Sequence, residues 1–172
     1  MANPMINIVS KVSTTDAGLK GIQEAIKELK SHEVMIGIPE DASSRKDQKG
    51  TPINNAELLF IHTNGSPVRG IPARPVLEPA IENDKDRVAE MLKKTIDVAV
   101  SGNKDGVVPA LEKAGQYGEN IAKAWFTNPA NGWKPNSEET VMRKTKGKGG
   151  KTSPLIDTDE MRKSITHVVK GG

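Results

Sequence analysis

Apolar and polar positions alternate from Ile6 to Val12 (INIVSKV), with Ile6 and Ile8 on one side and Asn7, Val9 and Lys11 on the other. This period of two predicts a short half-buried strand. Leu19, Ile22, Ile26 and Leu29 then recur every three or four residues, while Lys20, Glu24, Lys27, Glu28 and Lys30 occupy the other faces. An amphipathic helix follows from that spacing, with Thr14, Thr15 or Asp16 as its N-cap. Val34 to Pro39 (VMIGIP) reads as a second strand ended by its proline, and Glu40 to Pro52 (EDASSRKDQKGTP), polar and without period, reads as a mobile surface loop.

Asn54 or Asn55 is placed to cap a short helix over Ala56 to His62, whose Leu58, Leu59, Phe60 and Ile61 leave so little polar face that burial on several sides is expected. The stretch HTNGSPVRGIPARPVLEPAI comes next, with its two glycines, four prolines and two arginines. It leads into a long helix striped by Leu77, Ile81, Val88, Leu92, Ile96 and Ala99, with Pro75 and Pro79 near its start, where a missing N–H costs least, and Ser101 and Gly102 at its end. A second long helix is predicted from about Val107 to Phe126, with Pro109 in its first turn and Val108, Leu111, Ala114, Ile121 and Trp125 on one face.

Beyond the turn-rich TNPANGWKPNSEET, Asn136 or Ser137 caps a weaker helix to about Thr145, and Thr145 to Thr152 (TKGKGGKT) is Gly/Lys low complexity. Asp157 to Ser164 reads as a short helix capped by Thr158 or by an Asp157–Glu160 capping box, and Ile165 to Lys170 (ITHVVK) as a closing strand. Together these elements predict one α+β domain over residues 1–172. It has a small antiparallel sheet of about three or four strands against two long helices, with flexible loops at about 40–52 and 143–153.

Composition narrows the possibilities. A chain of 172 residues is long enough to bury a core without staples, and zero cysteines exclude disulfides, thiolate zinc sites and a cysteine nucleophile. The formal charge is +3, but 25 basic residues against 22 acidic ones make a mixed surface, and aromatics at 3% leave little for base stacking. MANPMINIVSKV lacks the basic-then-apolar order of a secretory signal, and no window approaches a membrane span of about 20 apolar residues, so no membrane association is expected.

Catalytic patterns come close without closing. TKGKGGKT matches a P-loop at Gly150, Lys151 and Thr152, but Thr145 stands where its first glycine belongs, and no apolar strand precedes it. His32, His62 and His167 are far apart and lack metal-ligand spacing, while Glu138 with Glu139 and Asp157 with Asp159 sit at helix starts, where the dipole favours them. No nucleophile elbow or serine–lysine pair occurs, so neither an enzyme nor a cofactor or metal is expected.

The residues left with a candidate role are contact residues. Arg69 and Arg74 do not suit a core. A charge-assisted contact of Arg74 with a carboxylate of its own chain, with a helix end, or with a neighbouring subunit is open. Trp133, between Gly132 and Lys134, either folds down as a plug or reaches a partner. Arg143, Lys144, Lys146, Lys148 and Lys151 form a basic segment that, with the loop Arg45 to Lys49, makes a nucleic-acid-binding module the alternative reading.

Two motifs carry a resemblance. AELLFIHTNG followed by Ile71-Pro72-Ala73-Arg74-Pro75, then Leu155-Ile156-Asp157-Thr158 before MRKSI, is similar in order and wording to the tailed-bacteriophage neck proteins, described as head–tail joining, tail-completion or virion-morphogenesis proteins. The similarity runs from about Val34 to Val169. Val76 replaces the usual phenylalanine, Asp159 the common glycine and Met161 the common leucine. The resemblance implies a structural virion protein at the head–tail junction, made in the host cytoplasm and assembled as a homo-oligomeric ring such as a hexamer. Head-completion and tail-terminator proteins are its implied partners, with weak nonspecific contact to packaged DNA.

Overall fold

The computed structural model describes residues 16–44, 53–145 and 152–172. Strand β1 (His32–Gly37) and strand β2 (Thr166–Gly171), from opposite ends of that span, pair antiparallel, with Val34 opposite Val169 and Ile36 opposite His167. They form a two-stranded sheet, so the expected three or four strands reduce to two among the described residues. The INIVSKV segment lies outside them.

Helix α1 (Asp16–Lys30) precedes β1, and α2 (Asn55–Asn64) starts with a complete capping box. Asn54 Oδ1 accepts from the Glu57 N–H, and the Glu57 carboxylate accepts from the Asn54 N–H, both at 2.9 Å. The helix expected from Leu77 to Ala99 is two: α3 (Leu77–Asn83) and α4 (Lys85–Val100), broken at Asp84. No glycine or proline marks that break. Tyr117 on α5 (Lys104–Trp125) donates its hydroxyl to the Asp84 carboxylate and so ties the elbow to the neighbouring helix. α5 begins earlier than predicted because Asn103 Oδ1 caps the Gly106 N–H at 3.0 Å, which puts Pro109 in the second turn instead of the first. Helices α6 (Glu138–Thr145) and α7 (Glu160–Ser164) follow.

α5 is the centre of the fold, contacting α1, α3, α4 and both strands. The sheet lies close against it because Gly115 and Gly118 carry no side chain there. A Cβ on Gly115 would stand 2.5 Å from His167 Cδ2, and one on Gly118 2.2 Å from Ile36 Cδ1. Two apolar clusters result, one of Ala25, Ala99, Val107 and Leu111 between α1, α4 and α5, the other built round Val76, Trp125, Phe126, Met161 and Ile165. The stripe on α4 turns out shifted: Thr95 and Ala99 are buried, whereas Leu92 and Ile96 are about half exposed, and Leu19 on α1 also faces outward.

Candidate functional site: a cleft joining the two motifs

Past α2 the chain reverses at Gly65, whose φ of 71° and ψ of 180° suit glycine alone; a Cβ there would lie 2.7 Å from Ala73 N and 2.9 Å from Ile71 O. Ser66 and Ile71 then exchange backbone hydrogen bonds at 2.8 and 2.9 Å around a single turn, Pro67–Arg69, closed by Gly70 at φ 62°. The prolines restrict this hairpin and the glycines permit it. Arg69 and Val68 stand exposed at its tip, Val68 almost completely.

The returning segment is fastened in two places. The Arg74 N–H donates to the His62 carbonyl at 2.6 Å, and the buried guanidinium donates through Nη2 to the carbonyls of Lys134 and Pro135 at 2.9 and 3.3 Å. Burial lowers the Arg74 pKa, though an arginine stays charged. Within its own chain the contact of this residue is thus with backbone carbonyls. Trp133 is a plug: its indole N–H donates to Pro75 O at 3.2 Å and its ring meets Phe126 edge to face, centroids 5.8 Å apart. Of the two readings open for Trp133, these contacts are those of the plug, bracing the segment that carries Arg74.

On the opposite side, Ser137 caps the Thr140 N–H of α6, and Lys144 donates to the carbonyls of Ser153 and Ile156 at 3.1 and 2.7 Å. Burial also lowers the Lys144 pKa. This clamp fixes the second motif, in which Ile156 and Met161 point into the core while Leu155 and Asp159 adopt left-handed backbone at φ 58° and 70°. Helix α7 starts at Glu160, so Asp159 and not Asp157 is the residue before it, and the Asp159 side chain caps no helical N–H. Its carboxylate pairs with Arg162 at 2.6 Å instead.

Between these walls lies a cleft of about 860 Å³. Arg69, Arg74, Arg143 and Lys144 all line it, and the two motifs, some 80 residues apart by number, face each other across it. Lys146, Lys148 and Lys151, and the near-P-loop with them, lie outside the described residues, as does the Arg45 to Lys49 loop. Three lining residues were not singled out by the sequence for this role: Asn55, which donates to Ser164 Oγ at 2.9 Å and joins α2 to α7, Asp159, and His62. Burial, assisted by the Arg74 charge, pushes the His62 pKa down to about 4, so the imidazole is neutral at pH 7. The cleft therefore offers fixed donors and acceptors of both kinds, which is the chemistry of binding.

A second polar cluster holds the sheet to α5. Glu119 Oε2 accepts from Thr166 Oγ1, the His167 N–H and His167 Nδ1, Oε1 accepts from Lys123 at 2.6 Å, and His167 Nε2 faces Glu112 at 3.0 Å. Burial opposes the Glu119 charge, but Lys123 and His167 outweigh it and hold the carboxyl down to about 2; for His167 burial is likewise outweighed, by the two carboxylates, and its pKa is raised. Among the described residues no group of three or more His, Asp or Glu side chains is placed to hold a metal ion, and no helix is long and apolar enough to cross a membrane.

Comparison with family models, with curated proteins and with solved structures finds no match.

Proposed function

We propose that the chain is a structural virion protein of a tailed phage or prophage, a neck or tail-completion component that acts at the head–tail junction as an oligomeric ring. The observation that carries this reading is the outer face of α2. Leu59 is buried in the chain's own core, but Phe60, on the other side of the same helix, is 69% exposed and stands with Ile53, Ala56 and Ile61 in one apolar patch. A helix apolar on both sides is a helix buried on both sides, and the described residues cover only one. Covering a phenylalanine is worth about 1.5–3 kcal/mol, and repeated contacts of this kind closing by rotation make a ring. The patch is on the helix that leads directly into the first motif of the resemblance to neck proteins.

The test is solution mass and particle content. Sedimentation of the purified protein is expected to show a discrete oligomer that Phe60→Asp converts to monomer without loss of helical circular dichroism, and the wild-type protein is expected in purified particles. A monomer at high concentration together with absence from particles overturns the proposal.

A further inference from the structure

Five buried side-chain polar atoms have no hydrogen-bond partner among the described residues, and four of them, Asn55 Oδ1, His62 Nδ1, Arg74 Nε and Asp159 Oδ1, belong to residues that line the motif cleft. Buried polar atoms are partnered in the great majority of cases, and leaving one unpaired costs about 1–3 kcal/mol, so such a concentration marks a place where partners arrive from outside. Asn55 and Arg74 are 0% and 7% exposed, which makes them fixed parts of a wall. The only two non-glycine residues with left-handed backbone among those described, Leu155 and Asp159, are in the same wall. Backbone strain of that kind gathers at ligand clamps.

The unpartnered atoms specify the ligand. Arg74 Nε–H is a donor, Asn55 Oδ1 and Asp159 Oδ1 are acceptors, and His62 Nδ1 serves either way by tautomer. An extended peptide presents N–H and C=O groups in alternation and meets both kinds, whereas a phosphate presents acceptors alone. Charge gives the sign of its side chains. Arg74 and Lys144 are committed to carbonyls and Asp159 to Arg162, which leaves the Arg69 and Arg143 guanidinium groups at the rim for an incoming carboxylate. The carboxylates of Asp157 and Glu160, also in the lining, repel a phosphodiester backbone, charged at every unit, more than a peptide whose carboxylates are spaced by neutral residues and can lie at the arginines.

We infer that the cleft between the two motifs is a docking site for an extended acidic peptide segment of a partner protein, with Arg69 and Arg143 gripping its carboxylates and the Asn55, His62, Arg74 and Asp159 wall meeting its backbone. This deepens the assembly reading and rests on it only in taking the protein to work by docking. Ring formation is read from mass through Phe60 and peptide capture from the cleft, so the two fail separately.

The experiment is a titration of the full chain, labelled with nitrogen-15, with an acetylated and amidated peptide of alternating Glu and Gly, followed in amide and arginine Nε–H resonances. The Arg74 Nε–H signal and the amides of residues 69–74 and 155–161 are expected to shift saturably. The same peptide with Gln for Glu, or the Arg69→Gln/Arg143→Gln protein with Glu peptide, is expected to bind about tenfold more weakly or worse, a loss of about 1.4 kcal/mol. Both arginines are exposed, so the variant is expected to keep the wild-type amide spectrum elsewhere. No shift up to about 1 mM peptide, equal binding of the Gln peptide, or tighter occupation of the same residues by a short DNA duplex overturns the inference.

Discussion

The Arg74 N–H sits 2.6 Å from the carbonyl of His62, and the charge of the same arginine helps keep the His62 imidazole unprotonated. Burial is the larger cause. The folded state thus binds fewer protons at this site than the unfolded chain, whose histidine titrates at the ordinary 6.5. By linkage the stability contribution is whole above pH 6.5 and declines as the pH falls from 6.5 towards about 4. Urea midpoints measured between those two values are expected to fall with acidification, and His62→Phe to flatten the fall. An equally steep fall in the variant assigns the acid sensitivity to other groups.

His167 has the opposite sign. Its pKa is raised by Glu119 and Glu112 against the effect of burial, so its contribution is fully present below the unfolded value of 6.5 and is lost as the pH rises through the folded value. Glu119, held down to about 2, contributes above its ordinary 4.5 and loses that contribution as the pH falls from 4.5 to about 2. Glu119→Gln removes its own dependence, weakens that of His167, which keeps Glu112 at 3.0 Å, and leaves Lys123 without its counter-charge. The expected cost near pH 6 is about 2–3 kcal/mol, on the scale of breaking partly buried charged hydrogen bonds, and is expected to shrink on the alkaline side. Thermal unfolding across the pH range checks both.

How α5 meets the sheet predicts a ranking of two substitutions. A Cβ on Gly115 would run into the His167 ring, which Glu112 and Glu119 hold from both nitrogens, and into Val34 Cγ1 at 3.1 Å; a Cβ on Gly118 would meet the far end of Ile36, which can turn aside. Alanine gains about 1 kcal/mol over glycine in helix propensity, and overpacking costs about 1–3 kcal/mol. Gly115→Ala is therefore expected to be net destabilising, and Gly118→Ala close to neutral. Denaturant midpoints of the two single variants decide it, and the reverse ranking refutes this account of the packing.

The parts of this fold that were legible in the sequence are those governed by local period and local caps. The spacing of Ile22, Ile26 and Leu29, the alternation across Val34 and Ile36, and the Asn54 cap each depend on neighbours a few positions away, and each stands as expected. What was not legible depends on distant partners. The break at Asp84 needs Tyr117, the binding of Arg74 needs the carbonyls of Lys134 and Pro135, and the burial of Thr95 in place of Leu92 needs the position of α5. A helical stripe has two flanks, and periodicity alone does not say which one turns inward. The cleft was half visible: its cations were singled out by charge, but Asn55, His62 and Asp159 are common polar residues whose burial is a property of the assembled walls.

Asp159 occupies a backbone position with φ 70°, where glycine is at ease and a β-branched side chain is not. Aspartate is among the side chains that tolerate the region best, and here its carboxylate also takes Arg162 at 2.6 Å. Asp159→Gly relieves the backbone and loses that pair, so the expected net change is small, within about 0.5–1 kcal/mol. Asp159→Val loses the pair and adds a strained backbone, for an expected loss of about 2–3 kcal/mol. Denaturation of the two variants separates backbone from charge: if glycine costs as much as valine, the Arg162 pair and not the turn is what the position serves.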